Sequence, residues 1–249
     1  MNSSLSLDWC SYKAARWACE QFHYSKTIPV GKAVHVGVWE DDRFKGVIIF
    51  TAGSGRATDG SRFGLRKHSD IAELQRVALT DHQTPVSRMI AIAVMLLRKQ
   101  SPNLKMLVAY ADPFHGHHGG IYQASGWTYI GKSRETVYYR DQDGRLYHPR
   151  TVSPSGVTVH FGKAHQNRVD FDTLETVKVP GKYTYVFPLD PTLQPVISEM
   201  AKPYPKRAKD SSEPSDSPVG RGGGSTDPHA PSISADSIRS QSCDNPQLC

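Results

Sequence analysis

The order of helix-like and strand-like segments predicts that this chain of 249 residues folds as a mixed α/β protein around one central twisted sheet. Three observations favour this class. Two β-rich runs, Val34 to Glu40 and Phe44 to Thr51, flank a turn-forming Asp-Asp-Arg. A long helix pattern lies between two strand patterns, which is the order of a β-α-β unit. A further strand pattern, Val179 to Leu189, comes late in the chain.

The N-terminal half begins with a predicted helix and continues into strands. Asp8 to Phe22 shows apolar residues at helical spacing, and Asp8 is the expected N-cap. The two β-rich runs that follow predict a hairpin. Asp70 to Leu79 is the candidate for a third strand.

The central helix carries the strongest signals in the sequence. It starts at "TPVSRM", with Thr84 as the expected N-cap and Pro85 at the first helical position, and it ends in basic residues. The segment "NLKMLVAYAD" then predicts a buried strand that ends at Asp112. A short helix in "HHGGIYQASG", closed by Gly126, and strands in "WTYIGKS" and "TVYYRD" complete the series. The Asp-Gly turn in "TVYYRDQDGRLYHPR" predicts a hairpin that extends the sheet or hangs off it.

Composition divides the chain into one folded domain, residues 1–200, and a tail, residues 201–249. The tail is rich in Ser, Pro, Gly and Asp, so we expect it to be disordered. It contains six basic and six acidic residues, which leaves the net charge of +6 to the folded domain. Such an excess weakly suggests a polyanionic partner such as nucleic acid.

No feature of the sequence predicts export or membrane insertion. The longest apolar run, Ile90 to Leu97, is far shorter than the roughly 18 residues that cross a bilayer. The N-terminus lacks the basic leader and the apolar core of a signal peptide. We therefore expect a cytoplasmic protein with no membrane partner.

The stretch "YADPFHGHHGGIYQASGW" contains the main candidates for chemistry. Asp112 follows a buried strand, where open α/β sheets place working carboxylates, and Phe114 is an aromatic ring close by. A carboxylate beside a flat ring suits recognition of an exocyclic amine on a base. It is analogous to the [D/N]-P-P-[F/Y] signature of enzymes that modify adenine N6, with one proline missing. A turn before an ordinary core phenylalanine is an equally good interpretation.

Three histidines follow, His115, His117 and His118, without the spacing of helical metal ligands. The glycines among them would let the loop pass close to a ligand. One histidine, with His115 as the candidate, is expected to help with substrate binding or proton transfer.

Two further segments are candidates for a site. Ser87 and Arg88 stand at the start of the central helix, where free N–H groups and the helix dipole favour an anion; ordinary capping with an exposed arginine is the alternative. The loop "FHYSKTIPVGK", Phe22 to Lys32, is more polar than a linker requires. We expect it to approach the strand that bears Asp112, although basic capping of a helix end would explain it as well.

Four segments, in order, carry a resemblance to a known family: "HYSKTIPVGK", "ELQRVALTDHQTPVSRMIAIAV", "LVAYADPFHGHHGGIYQASGWTYIG" and "GKYTYVFPL". Over about residues 8–190 the chain resembles the Mom DNA-modification proteins of Mu-like bacteriophages. The resemblance implies a GNAT-like acyltransferase fold and the addition of a methylcarbamoyl group, also described as acetamido, to N6 of adenine. It implies double-stranded DNA as the partner, evasion of host restriction, and the host bacterial cytoplasm as the location. Whether the chain forms a homodimer is left open.

Matching the motifs carries functional residues over to this sequence. His23 and Tyr24 of "HYS", Ser87 and Arg88 of "VSR", and Asp112 of "ADP" occupy positions on which the family relies. The family has been linked to iron, and His23, Tyr24 and Asp112 would supply one nitrogen and two oxygen ligands.

The resemblance leads to a hypothesis about mechanism. Asp112 would accept a proton from N6 or bind the metal, Phe114 or Tyr122 would stack on the base, and Ser87 with Arg88 would hold the donor or a phosphate. Unlike acetyl-CoA enzymes, the chain has no glycine in "TDHQTPVSR", which argues against ordinary CoA binding and leaves the donor unidentified. Two rival functions remain, an acyl-CoA N-acetyltransferase acting on a small amine or protein, and a phage DNA-binding protein without enzymatic activity.

Overall fold

A computed structural model describes residues 4–53, 59–160 and 162–206. Within them the strands are β1 (Leu5–Trp9), β2 (Ala33–Glu40), β3 (Arg43–Thr51), β4 (Ile71–Leu79), β5 (Met106–Ala111), β6 (Thr128–Lys132), β7 (Thr136–Arg140), β8 (Leu146–Tyr147), β9 (Val157–His160), β10 (Lys163–Gln166), β11 (Glu175–Val179) and β12 (Tyr183–Pro188). The α-helices are α1 (Tyr12–Phe22), α2 (Val86–Gln100), α3 (Gly120–Ala124) and α4 (Gln194–Glu199).

The central sheet is seven-stranded and mixed. Its order is β1-β2-β3-β4-β5-β12-β6. Only β4 and β5 pair in parallel among these strands as described, and α2 connects them as the crossover. The predicted mixed α/β class with an additional late strand is therefore confirmed, as are the hairpin β2–β3 and the strands β4 and β5.

Alternate residues of the strands face two helical layers. On one face, α2 and α3 pack on residues such as Val36, Phe50 and Leu107. On the other face, α1 packs on Trp39 and its neighbours, and α4 packs further along the sheet. Both faces of the middle strands are consequently buried, so their sequences read as nearly continuous apolar runs.

The N-terminal helix is shorter than predicted, and Asp8 is not its N-cap. Leu5, Leu7 and Trp9 are half-buried and alternate with exposed residues, so this segment forms β1 at the sheet edge and pairs with β2. The helix starts at Tyr12, where Ser11 Oγ accepts the N–H of Ala14 at 3.2 Å. A short period-two pattern directly before a helix explains the error.

The start of α2 differs from the prediction by one residue. The helix begins at Val86 with Pro85 as N-cap, and Thr84 does not cap it. Instead the buried carboxylate of Glu40 accepts the backbone N–H groups of Gln83 and Thr84, each at 2.8 Å. Hydrogen bonds from the Thr84 side chain and the Gln83 backbone lower the pKa of Glu40 to about 2.

The segment between β6 and β12, hereafter the insertion, forms two small sheets outside the central one. They have the orders β11-β7-β8 and β10-β9. The predicted Asp-Gly hairpin is therefore the β7–β8 pair, and it hangs off the central sheet. After the insertion the chain returns as β12, which lies between β5 and β6 and is antiparallel to both.

The first residues of the predicted tail pack on the domain. Tyr204 Oη donates to the carbonyl of Trp127 at 2.8 Å, and Gln123 Nε2 donates to the carbonyl of Pro205 at 3.2 Å. Residues 207–249 lie outside the described residues. In the described part of the chain, no helix has the length and apolar character needed to span a membrane.

Candidate functional site

The candidate site lies where the two parallel strands of the sheet separate. Pairing of β4 with β5 ends at Leu74 and Ala109, although both strands continue. A bulge at this point causes the separation: β3 residues Ile49 and Phe50 pair with Arg76 and Leu74, so Gln75 is the extra residue in β4. Beyond the bulge the strands diverge and leave a gap between them.

A cavity of about 680 Å³ occupies this gap. Its walls come from the end of α1, the diverging ends of β4 and β5, the start of α2 and residues 116–122. The volume falls in the range of roughly 300–1,000 Å³ that is usual for small-molecule sites.

Asp112 directly follows β5, the position predicted from the sequence. It lines the cavity, and only 7% of the residue is exposed. Its Oδ1 accepts the N–H of Phe114 at 3.0 Å, which caps the 3₁₀ turn Pro113–His115. Its Oδ2 forms an ion pair with Lys182 Nζ at 3.1 Å. Burial of Lys182 opposes its positive charge, but Asp112 outweighs that effect and raises the pKa of the lysine.

His23 and Tyr24 line the same cavity, so the polar loop after α1 approaches Asp112 as predicted. Their rings lie 4.3 Å apart between centroids. Burial, helped by the positive charge of Arg76, lowers the pKa of His23 to about 4, so the imidazole is neutral near pH 7. The N–H of Ser25 donates to His23 Nδ1 at 3.1 Å, which assigns the ring proton to Nε2.

His23, Tyr24 and Asp112, the set predicted to bind iron, differ in how readily they could coordinate a metal ion. His23 is neutral, which is the ligating form of histidine, whereas burial raises the pKa of the Tyr24 phenol and so opposes its ligating form. Lys182 already neutralises Asp112. In the described ranges, no three His, Cys, Asp or Glu side chains are grouped so that they could hold a metal ion, but a set that includes the Tyr24 phenol is a different kind of site. Iron binding by these three residues stays a prediction, and no chemical step is assigned to a metal.

The histidine–glycine loop is fastened to the sheet by Tyr185 of β12. Tyr185 Oη donates to the carbonyl of His118 at 2.6 Å and accepts from Gln123 Nε2 at 3.0 Å. Gly119 has φ +85°, and a Cβ there would overlap the Tyr185 ring. Gly119 therefore lets the loop pass close to Tyr185. Gly116, Gly119 and Gly120 also line the cavity, and the passage of the loop close to a ligand stays a prediction.

Some of the aromatic and histidine residues predicted to contact the substrate line the cavity, and others do not. Tyr122 is buried and lines the cavity, whereas Phe114 is 42% exposed and does not line it. His115 also lies outside the lining, yet its ring is 4.5 Å from that of Tyr24. His117 does line the cavity, and its ring is 5.2 Å from that of Tyr24. Tyr122 is consequently the better placed of the two candidates for stacking on a bound base.

Ser87 and Arg88 stand in the first turn of α2, as predicted, but neither lines the cavity. Ser87 is half-buried and Arg88 is exposed. Val86, directly before them, does line the cavity, so the helix start borders it.

The sequence did not reveal Lys182 or Gln75 as site residues. Lys182 reaches Asp112 because Tyr183 pairs with Ala111, which places the two adjoining residues opposite each other across β12 and β5. The motif "GKYTYVFPL" contains this lysine, but only the strand register shows its partner. A bulge of one residue in an apolar strand has no sequence signature.

Comparisons with known proteins agree with the resemblance in the motifs. The model of the Mom protein family matches residues 4–206. The protein named methylcarbamoylase mom, from Escherichia phage Mu, is 28% identical over 155 residues, which are 61% of this chain and 63% of that protein. The match thus spans about three fifths of that relative. Among solved structures, FeeM, an N-acyl amino acid synthase from uncultured soil microbes, is 12% identical over 76% of this chain and 92% of its own. Its TM-score of 0.40 does not establish a common fold.

Proposed function

The chain belongs to the Mom protein family, and from that premise we propose that it is a phage DNA-modification enzyme. In this proposal it is a transferase that adds a methylcarbamoyl (acetamido-type) group to N6 of adenine in double-stranded DNA. The modification would protect phage DNA from restriction in the cytoplasm of the bacterial host. The GNAT-like relation predicted from the sequence belongs to the same proposal.

The observation that carries the proposal is the meeting of separate motifs in one cavity. His23 and Tyr24 come from "HYS", Asp112 from "ADP" and Lys182 from "GKYTYVFPL", and all four lie in or directly beside the 680 Å³ gap. Adenine inside a duplex is stacked and paired, so it must first be flipped out, at a cost of a few kcal/mol. A gap of this size accommodates a flipped purine.

The polar groups of the cavity complement the edge of adenine that carries N6. This edge presents an N–H donor at N6 beside an acceptor at N1. Asp112 is an acceptor, and the neutral His23, protonated at Nε2, is a donor. Tyr122 in the cavity wall offers a ring for the base to stack on. We therefore assign adenine recognition to these three residues.

Asp112 is also the proposed proton acceptor. The N6 lone pair is delocalised into the ring, so N6 must lose a proton as its bond to the incoming carbon forms; the bond between that carbon and the donor breaks in the same transfer, and the donor fragment leaves with the bonding electrons. Its Oδ1 accepts the Phe114 N–H and its Oδ2 pairs with Lys182, and a carboxylate oxygen with one such partner still has a lone pair for N6. Lys182 stabilises the negative charge that this largely buried carboxylate carries before the transfer.

The donor is proposed to lie beside the start of α2, with Ser87 and Arg88 as its contacts. Ordinary binding of CoA pyrophosphate at the preceding loop is disfavoured, because Glu40 already accepts the N–H groups of Gln83 and Thr84. A buried carboxylate there also repels phosphate.

Mass spectrometry of nucleosides from plasmid DNA, recovered from bacteria that express the protein, tests the proposal. We expect a deoxyadenosine species heavier by one methylcarbamoyl or acetamido group. The Asp112→Asn variant should produce none of it while still binding DNA, and the exposed Asp172→Asn variant should behave as wild type. Unmodified deoxyadenosine in cells that contain soluble wild-type protein would refute the proposed reaction.

A further inference from the structure

A second groove adjoins the cavity and has no part in the function proposed so far. It lies between the central sheet and the insertion, and we call it the insertion groove. Its walls are residues 30–32, residues 51–53 at the end of β3, and the insertion residues Pro149, Arg150, Ser153 and Val157 to Val159. Its volume is about 1000 Å³.

Two connections join the insertion groove to the cavity. Gln75, the bulged residue of β4, lines both spaces. The loop after α1 also borders both spaces, since His23 and Tyr24 line the cavity and Val30 to Lys32 line the groove. Arg76 Nε donates to the carbonyl of Thr27 at 3.3 Å, which ties the middle of this loop to β4. The groove and the cavity are therefore neighbours, with Gln75 at their common boundary.

The charged side chains that line the groove are cations, which indicates an anionic ligand. Among the described residues of its lining, the charged side chains are Lys32 and Arg150, both exposed, and there is no carboxylate. Val30 and Val159 add apolar surface, 82% and 67% exposed respectively. Two cations beside apolar surface suit a phosphodiester strand, whose phosphates pair with Lys and Arg while its sugars and bases contact apolar groups.

We propose that the insertion groove binds the DNA backbone next to the flipped adenine, with Lys32 and Arg150 on its phosphates. The proposal deepens the proposed function and rests on it for the position of the adenine. Flipping rotates one nucleotide out of the duplex but leaves it covalently joined to its neighbours, so a strand must run alongside the cavity. Among the described residues, the groove is an adjoining surface with room and charge for that strand, and the insertion supplies one of its walls.

Binding of a fluorescent adenine-containing duplex at several salt concentrations tests this assignment. The measurements compare full-length wild type with the double variant Lys32→Gln/Arg150→Gln. The matched control is Arg98→Gln/Lys99→Gln, which removes the same charge from exposed residues at the far end of α2, outside both spaces. Loss of two phosphate contacts should flatten the slope of log K against log salt by about 1.8, which corresponds to binding weakened by roughly 60-fold at 0.1 M salt. The control should retain the wild-type slope.

Two results would overturn the assignment: an unchanged slope in the groove variant, whatever its affinity, or an equal loss of slope in the control. Circular dichroism of both variants verifies that they fold. The nucleoside assay separates the two proposals, because a wild type that modifies no adenine refutes the reaction, while a groove-specific loss of salt-dependent binding still supports the DNA site.

Discussion

The ion pair between Asp112 and Lys182 should respond very differently to removal of either partner. The Asp112 side chain is 8% exposed and that of Lys182 is 41% exposed. Lys182→Met leaves a largely buried carboxylate without its counter-ion. Breaking a fully buried pair costs about 3–5 kcal/mol, and because the lysine is partly solvated we expect about 2 kcal/mol here. Asp112→Asn leaves Lys182 without its partner, but the lysine can turn towards water. The amide oxygen of the new asparagine can still accept the N–H of Phe114, so we expect the free energy of unfolding to fall by at most about 1 kcal/mol.

Urea and thermal unfolding of the two single variants and the double variant would measure this asymmetry. For a domain of this size, about 2 kcal/mol corresponds to a fall in Tm of roughly 4–8 °C. The double variant should be less destabilised than Lys182→Met, since it no longer buries an unpaired charge. A larger loss for Asp112→Asn than for Lys182→Met would refute the reasoning, because it would show that the lysine, and not the carboxylate, depends on the pair.

Three further outcomes are expected. The pKa of Glu40 is lowered from an ordinary 4.5 to about 2 in the folded protein, so its contribution to stability is present above pH 4.5 and is lost as the pH falls towards 2. Unfolding measurements should show Glu40→Gln less stable than wild type by roughly 2 kcal/mol at pH 7, and this difference should disappear in acid. Gly119→Ala should cost roughly 1–3 kcal/mol in the same assay, more than Gly116→Ala, because both have positive φ but only the former meets Tyr185; equal losses would rule out the overlap. If His23, Tyr24 and Asp112 bind iron, metal analysis after anaerobic loading should find more ferrous iron retained by Lys182→Met than by wild type, since the competing cation is gone; less iron would contradict competition.

Much of the fold was predictable because its central elements carry strong local patterns. The hairpin β2–β3 has a turn of two aspartates, Asp41 and Asp42, both with positive φ, which aspartate tolerates better than most residues. The helix α2 has a proline at its start and basic residues at its end. Asp112 was predictable as a site residue for a similar reason, because the end of a buried strand is visible in the sequence.

What the sequence did not reveal depends on contacts between distant segments. The start of α2 is displaced from its predicted cap because Glu40, on another element, takes the N–H groups that a cap would otherwise satisfy. The cavity exists because of the bulge at Gln75, and the partner of Asp112 follows from the register of β12. Local propensity contains no information on any of these three features.

The position of β12 has a consequence for how the protein is made. This strand fills the place between β5 and β6, yet the whole insertion precedes it in the chain. During synthesis, β5 and β6 therefore emerge long before the strand that joins them. Until β12 follows, each has an edge of unpaired backbone N–H and C=O groups that can pair with another chain. Pairing over such a separation closes a long loop and is slow. Since Lys182 directly precedes β12, the site acquires its cation only at that late step, and a nascent chain halted within the insertion would hold Asp112 without its partner.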